Sequence, residues 1–363
     1  MLSRFVENVI EGAKLIKLLT KTLTPANGFI MKSTFQIFAL SLVCGFALSA
    51  LAGIAQAQSV PLPDDTKLLV QLDLQEFSKT SIGARLVELT AETAAKEMDT
   101  DGEQLLAKVN KSLGFDPLSE VRTITVATSS IDDPNHAIAS GGVVVQLGKT
   151  TGNLEGLMLA LPGYKSSEHG DQTLHSAGEG SQRATCAIHA SGNGNHTLLL
   201  ARDSDHVAHM LDTMEAAGTQ ATSSDATAMA LSPNVFARVV VLDVPVEKFE
   251  DEPLITNVMG LIQKASVEVS EVNRKTMHVQ VNVIANKEKK AEQIRQLLAG
   301  ASAAAGLLLD SVDELDADGL REVAEDVLQS IKVTREEKVV GLSLDIPSEV
   351  LADFLREEAD LPL

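Results

Sequence analysis

Six of the eight histidines in this chain fall between residues 169 and 209: His169, His175, His189, His196, His206 and His209. Imidazoles at that density suit a transition metal, and His206 and His209, three apart on a predicted helix, share one of its faces. With Asp203 or Asp205 they would complete a ligand set for a zinc-like ion. A metal-dependent enzyme using the 169–209 histidines is therefore one reading of the chain. Against it, the sequence holds no His-Glu-x-x-His or other recognised zinc-enzyme motif. The simpler reading makes these histidines polar residues on exposed strand and helix faces.

A second constellation is acidic. Glu314-Leu315-Asp316-Ala317-Asp318-Gly319, with Glu325 in the twelfth place, follows the spacing of a helix-loop-helix calcium loop. Asp316, Asp318 and Glu325 would be its ligands. Glu314 replaces the usual first Asp, and Arg321 stands where an apolar residue belongs. A similar stretch from Glu97 to Gly102 ends with Lys108 where the bidentate Glu should be. Asp318 and Asp101 more simply cap the helices that follow them.

Cys186 has His189 three residues on, but residues three apart in a strand point to opposite faces, so a small buried thiol is expected there. Ser191 to Asn195 is Gly-rich but lacks the Lys and helix of a phosphate loop. The acids around Phe249 read as a solvated face, and no Gly-x-Ser-x-Gly elbow occurs. No cofactor is expected. The leading expectation is a non-catalytic protein that binds or scaffolds through a sheet surface.

The elements that position these residues repeat. Lys67–Leu74 reads as a mostly buried strand, followed by a helix carrying Ile82, Leu86 and Leu89 on one face. Then a strand-strand-helix unit recurs four times. Strands 122–129 and 141–147 precede a helix over 153–161. Strands 183–190 and 196–201, joined by Gly192-Asn193-Gly194-Asn195, precede a helix capped by Asp203. Strands 265–270 and 277–284 precede a helix over 287–298. In the second of these, Met277, Val279, Val281 and Val283 alternate with His278, Gln280 and Asn282, so one face is buried and the other wet. Strands 331–335 and 338–346 precede a closing helix from Pro347. A second strand and helix, 235–243 and 254–262, echo the opening pair. The pattern predicts an α+β fold of two similar halves, 58–217 and 226–363, joined by an Ala/Thr/Ser-rich linker at 218–225. Each half is expected to be an antiparallel sheet with helices on one face and a ferredoxin-like start.

Val60-Pro61-Leu62-Pro63-Asp64-Asp65-Thr66-Lys67-Leu68-Leu69-Val70, Ser81-Ile82-Gly83, Gly114-Phe115-Asp116-Pro117 and the 122–126 strand Arg-Thr-Ile-Thr-Val form a set of short motifs. With the hairpin at 163–171, it resembles uncharacterised secreted proteins of planctomycete-type bacteria. That family has no established activity, so the resemblance implies a secreted α+β protein and no site residues.

The N-terminus points the same way. Met31-Lys32, the apolar run Phe35 to Ile54 and Ala55-Gln56-Ala57 have the form of a signal peptide over 31–57. Residues 1–30 then read as an overlong gene start. An uncleaved anchor is the alternative, and only then would the chain touch a membrane. The destination is secreted or periplasmic. Residues 1–57 hold five basic and two acidic side chains, so the exported 306 residues carry 25 basic and 48 acidic, a net charge of −23. So negative a body repels phosphate backbones, which argues against nucleic acid and leaves a protein or cell-envelope partner. One cysteine remains after cleavage, so no internal disulfide forms. The exported part has no Trp, one Tyr and five Phe, too few aromatic faces for a carbohydrate-binding module.

Overall fold

Short β-branched and leucine-rich runs, separated by turn residues, resolve into twelve strands in a computed structural model. It describes residues 66–85, 113–129, 141–149, 154–178, 183–190, 194–219, 234–244, 257–309 and 320–350, with single positions between the first two stretches. The strands are β1 (Leu68–Asp73), β2 (Val121–Thr128), β3 (Gly141–Leu147), β4 (Lys165–His169), β5 (Gln172–Ala177) and β6 (Ala184–Ala190). They continue as β7 (His196–Ala201), β8 (Val235–Val241), β9 (Ile262–Asn273), β10 (Thr276–Ala285), β11 (Lys332–Glu336) and β12 (Val339–Pro347). The helices described in full are α1 (Leu74–Lys79), α2 (Pro117–Glu120), α3 (Leu154–Leu159), α4 (Ser204–Thr219), α5 (Glu288–Leu309) and α6 (Leu320–Ser330).

All twelve strands belong to one antiparallel sheet, in the order β11-β12-β10-β9-β8-β1-β2-β3-β7-β6-β5-β4. This overturns the expectation of two halves, each with its own sheet. The strand expected to open a second half, β8, pairs with β1 from Leu68↔Val241 to Leu72↔Ala237. Both strands are rich in apolar side chains, and a free edge on either would leave a row of backbone N–H and C=O groups unpaired. Joining them removes both edges. The ferredoxin-like start is corrected too. That beginning needs its first two strands parallel in a split βαβ unit, whereas β1 and β2 are direct antiparallel neighbours.

The helices do not share one face. Residues directly opposite in an antiparallel ladder project to the same side, so register assigns faces. The front carries Leu72, Ile124, Val145, Leu198, Cys186 and Met277, and against them pack Leu74 and Phe77 of α1 and Leu154 and Met158 of α3. α5 lies on the same side, its Ala291 and Ile294 against Val283 and Val340. α4 lies on the back, with Val207, Met210 and Leu211 buried against Val144, Leu199, Ala187 and Leu174. Gly142 permits that approach, because a Cβ there would sit 2.6 Å from Met210 Sδ.

Local chemistry sets the element ends. Asp203 accepts from the His206 N–H ahead of α4, as expected, while Asp73 accepts from the Glu76 N–H to start α1 and Asp116 caps α2 with Pro117 behind it. Helix 254–262 is shortened, because β9 begins at Ile262. The body of the helix expected after Pro347 lies outside the described residues, as do segments 1–30 and 31–57. So does most of linker 218–225, whose first residues are the end of α4.

Candidate functional site

The back of the sheet carries one cross-strand row whose chemistry changes along its length. From β12 inwards it runs Ser343, Gln280, Glu268, Arg238, Gln71 and Thr125, each directly opposite the next on six adjacent strands. It then continues through Val144, Leu199, Ala187 and Leu174, the apolar positions under α4. The six polar positions come from strands whose other alternate residues are apolar and face front, so period 2 places them all on the back.

At the centre the row is buried. The side chains of Arg238 and Glu268 are 11% and 9% exposed, and Nε lies 3.1 Å from Oε1, a close ion pair without the alignment of a linear hydrogen bond. Burial lowers the Arg238 pKa, and the facing Glu268 carboxylate offsets this in part. Gln71, beside Arg238, is 5% exposed, and its Oε1 has no hydrogen-bond partner among the described residues. Two residues further along β1, Asp73 is buried, and desolvation pushes its carboxyl up to about 7 against the opposing pull of the Glu76 N–H.

Towards β12 the row opens. Ser266, Ser270, His278, Gln280, Asn282, Ser343 and Asp345 are half-buried on neighbouring strands of the same face. His278 and Asp345, directly opposite, meet at 2.7 Å through Nδ1 and Oδ1. Gln280 donates to Asn282 Oδ1 at 3.0 Å. This surface is a carpet of short hydrogen-bonding groups with one His–Asp hydrogen bond, suited to holding a polar ligand by many modest contacts.

The histidines expected to bind metal scatter. His206 and His209 share α4 with Asp205; His206 Nδ1 lies 3.7 Å from its own capping Asp203, while His209 and Asp205 are exposed. His169 at the end of β4 meets Asp212 of α4 at 2.7 Å. His189 projects from the back and His196 from the front, each with a buried Nδ1 lacking a partner among the described residues. Among the described residues, no three His, Cys, Asp or Glu side chains converge to hold a metal. Of the calcium alternative, Glu325 lies exposed on α6, and Asp316 and Asp318 lie outside the described residues.

Cys186 is buried on β6, its thiol pushed up to about 12 by desolvation, which keeps it protonated and a poor nucleophile. Its neighbour across the ladder is His175, not His189. Sequence reasoning missed that pairing and the Arg238–Glu268–Gln71 row. Their signal was a lone polar residue inside an apolar strand, as in Leu-Leu-Val-Gln-Leu-Asp for β1 and Val-Phe-Ala-Arg-Val-Val-Val for β8. Among the described residues no helix is long and apolar enough to cross a membrane. No family model matches this chain, no curated protein matches its sequence, and no solved structure matches its fold.

Proposed function

We propose that the chain is an exported, non-catalytic protein that binds a protein or cell-envelope partner on the back of its sheet, across β9, β10 and β12. The observation that carries this reading is the half-buried polar carpet of Ser266, Ser270, His278, Gln280, Asn282, Ser343 and Asp345. Seven short polar side chains on three adjoining strands offer donors and acceptors in a fixed lattice about 5 Å apart across the ladder. The net charge of −23 on the exported part favours a partner with a basic face. The signal-like segment 31–57 supports delivery to a compartment outside the cytoplasm.

The test is retention of cell-envelope components on the immobilised protein. Wild type is compared with Gln280→Lys/Asn282→Lys and with Ser166→Lys on the distant edge strand β4. A component retained by wild type and by the β4 variant, and released by the β10 variant and by rising salt, supports the reading. Equal retention by all three, or none, overturns it. Sequencing the N-terminus of exported material separately checks the delivery step, with Gln58 as the expected first residue.

A further inference from the structure

Three soft or borderline donors stand on neighbouring positions at the front of the sheet, and His175 alone of them belongs to the 169–209 histidines read as metal ligands. The Cys186 S–H points at the Met158 thioether, with Sγ and Sδ 3.3 Å apart. His175 is the residue directly opposite Cys186 on β5, so the two side chains leave the same face of the ladder, and Sγ lies 3.5 Å from the His175 carbonyl oxygen. The imidazole is already oriented. Tyr164 Oη lies 3.0 Å from His175 Nδ1, their rings are tilted 36° to one another with centroids 6.0 Å apart, and Nε2 has no hydrogen-bond partner among the described residues.

We propose that Cys186 Sγ, Met158 Sδ and His175 Nε2 form a binding site for a soft monovalent cation, Cu(I). Thiolate and thioether select Cu(I) over harder ions, imidazole is compatible with it, and none of the three donors is the carboxylate that Mg²⁺, Ca²⁺ or Mn²⁺ would require. Binding exchanges the Cys186 thiol proton for the metal, and the proton leaves to solvent. The sulfur pair, now 3.3 Å apart, opens to admit the ion. Met158 supplies that movement, because its unbranched side chain is half-buried on the six-residue α3. Tyr164 plays the supporting part that an outer hydrogen bond plays at other metal centres, holding Nδ1 and leaving Nε2 as the coordinating atom. The site is independent of the binding surface proposed above, which lies on the opposite face and the opposite arm of the sheet.

The experiment is an anaerobic titration of the purified exported protein with Cu(I) in competition with a chromophoric Cu(I) chelator. The expected result is one Cu(I) per chain, with X-ray absorption showing two sulfur neighbours and one nitrogen neighbour. Cys186→Ser is expected to weaken binding 100-fold or more, Met158→Leu about 10-fold and Tyr164→Phe about 10-fold. Met158→Leu conserves volume, so an unchanged circular dichroism spectrum and melting curve separate loss of metal from loss of fold. Failure to compete with the chelator overturns the proposal, as does undiminished affinity in both Cys186→Ser and Met158→Leu. Preferential loading with Zn(II) from an equimolar mixture overturns it too.

Discussion

Leu199 and Gln280 stand on the same face of the same sheet, in the same cross-strand row, and live in opposite surroundings. Leu199 is fully buried under α4, in a strand whose residues Thr197-Leu198-Leu199 are all buried. Gln280 is half-buried in a strand that alternates Val with His, Gln and Asn. In the arm from β3 to β5, helices pack on both faces, so apolar side chains stand on both sides of β3 and β7. In the arm from β9 to β12, α5 packs on the front, and the back turns polar. The changeover falls between Thr125 on β2 and Val144 on β3, which are direct neighbours. One continuous backbone ladder thus supports two kinds of strand, and the number of packed helices, not the hydrogen bonding, decides which side-chain pattern each needs. Each fully buried apolar side chain under α4 is worth about 1.5–3 kcal/mol.

That contrast can be broken most severely at its buried end. Leu199→Asp places a carboxylate between the sheet and α4, and is expected to cost more than about 4 kcal/mol, read as loss of the cooperative urea transition or a collapse of its midpoint. Arg238→Met removes half of a buried ion pair, and should cost about 3 kcal/mol. Arg238→Met/Glu268→Leu, which removes both charges, should recover much of that loss, and a double-mutant cycle in urea measures it. Asp73, on the strand between the arms, tests burial by pH. Its folded pKa of about 7 lies above the ordinary 3.8, so its contribution is full below about pH 4 and is lost as pH rises to about 7. Asp73→Asn keeps an acceptor for the Glu76 N–H, and should therefore be the more stable protein at pH 8 by about 1–2 kcal/mol, with the advantage vanishing towards pH 4. At the polar end of the row, Gln280→Thr should change stability by less than about 0.5 kcal/mol.

Much of the strand content was legible because period-2 alternation and turn chemistry are local. Met277 to Val283 announced a one-sided strand, and Asp203 the start of α4. The single sheet was not legible. The pairing of β1 with β8 joins residues about 170 positions apart, and nothing near Leu68 names Val241 as its partner. The position of α4 on the back was hinted at by Leu198-Leu199-Leu200, since three consecutive apolar residues in a strand require cover on both faces. The candidate sites depended on register even more. His175 and Cys186 are eleven residues apart and become partners only through the β5–β6 ladder, while Gln71, Arg238 and Glu268 come from three strands that the chain visits far apart.

The β1–β8 pairing also has a consequence for synthesis. β1 leaves the ribosome more than 160 residues before β8, so β2 occupies one flank of β1 while the other stays bare. A chain halted after α4 carries that bare flank permanently, and two such chains would satisfy it by pairing β1 with β1 antiparallel, as β1 and β8 do in the whole molecule. Fragments ending near residue 219 should therefore accumulate as dimers. In the complete protein, delayed arrival of β8 is the step that exposes nascent chains to one another.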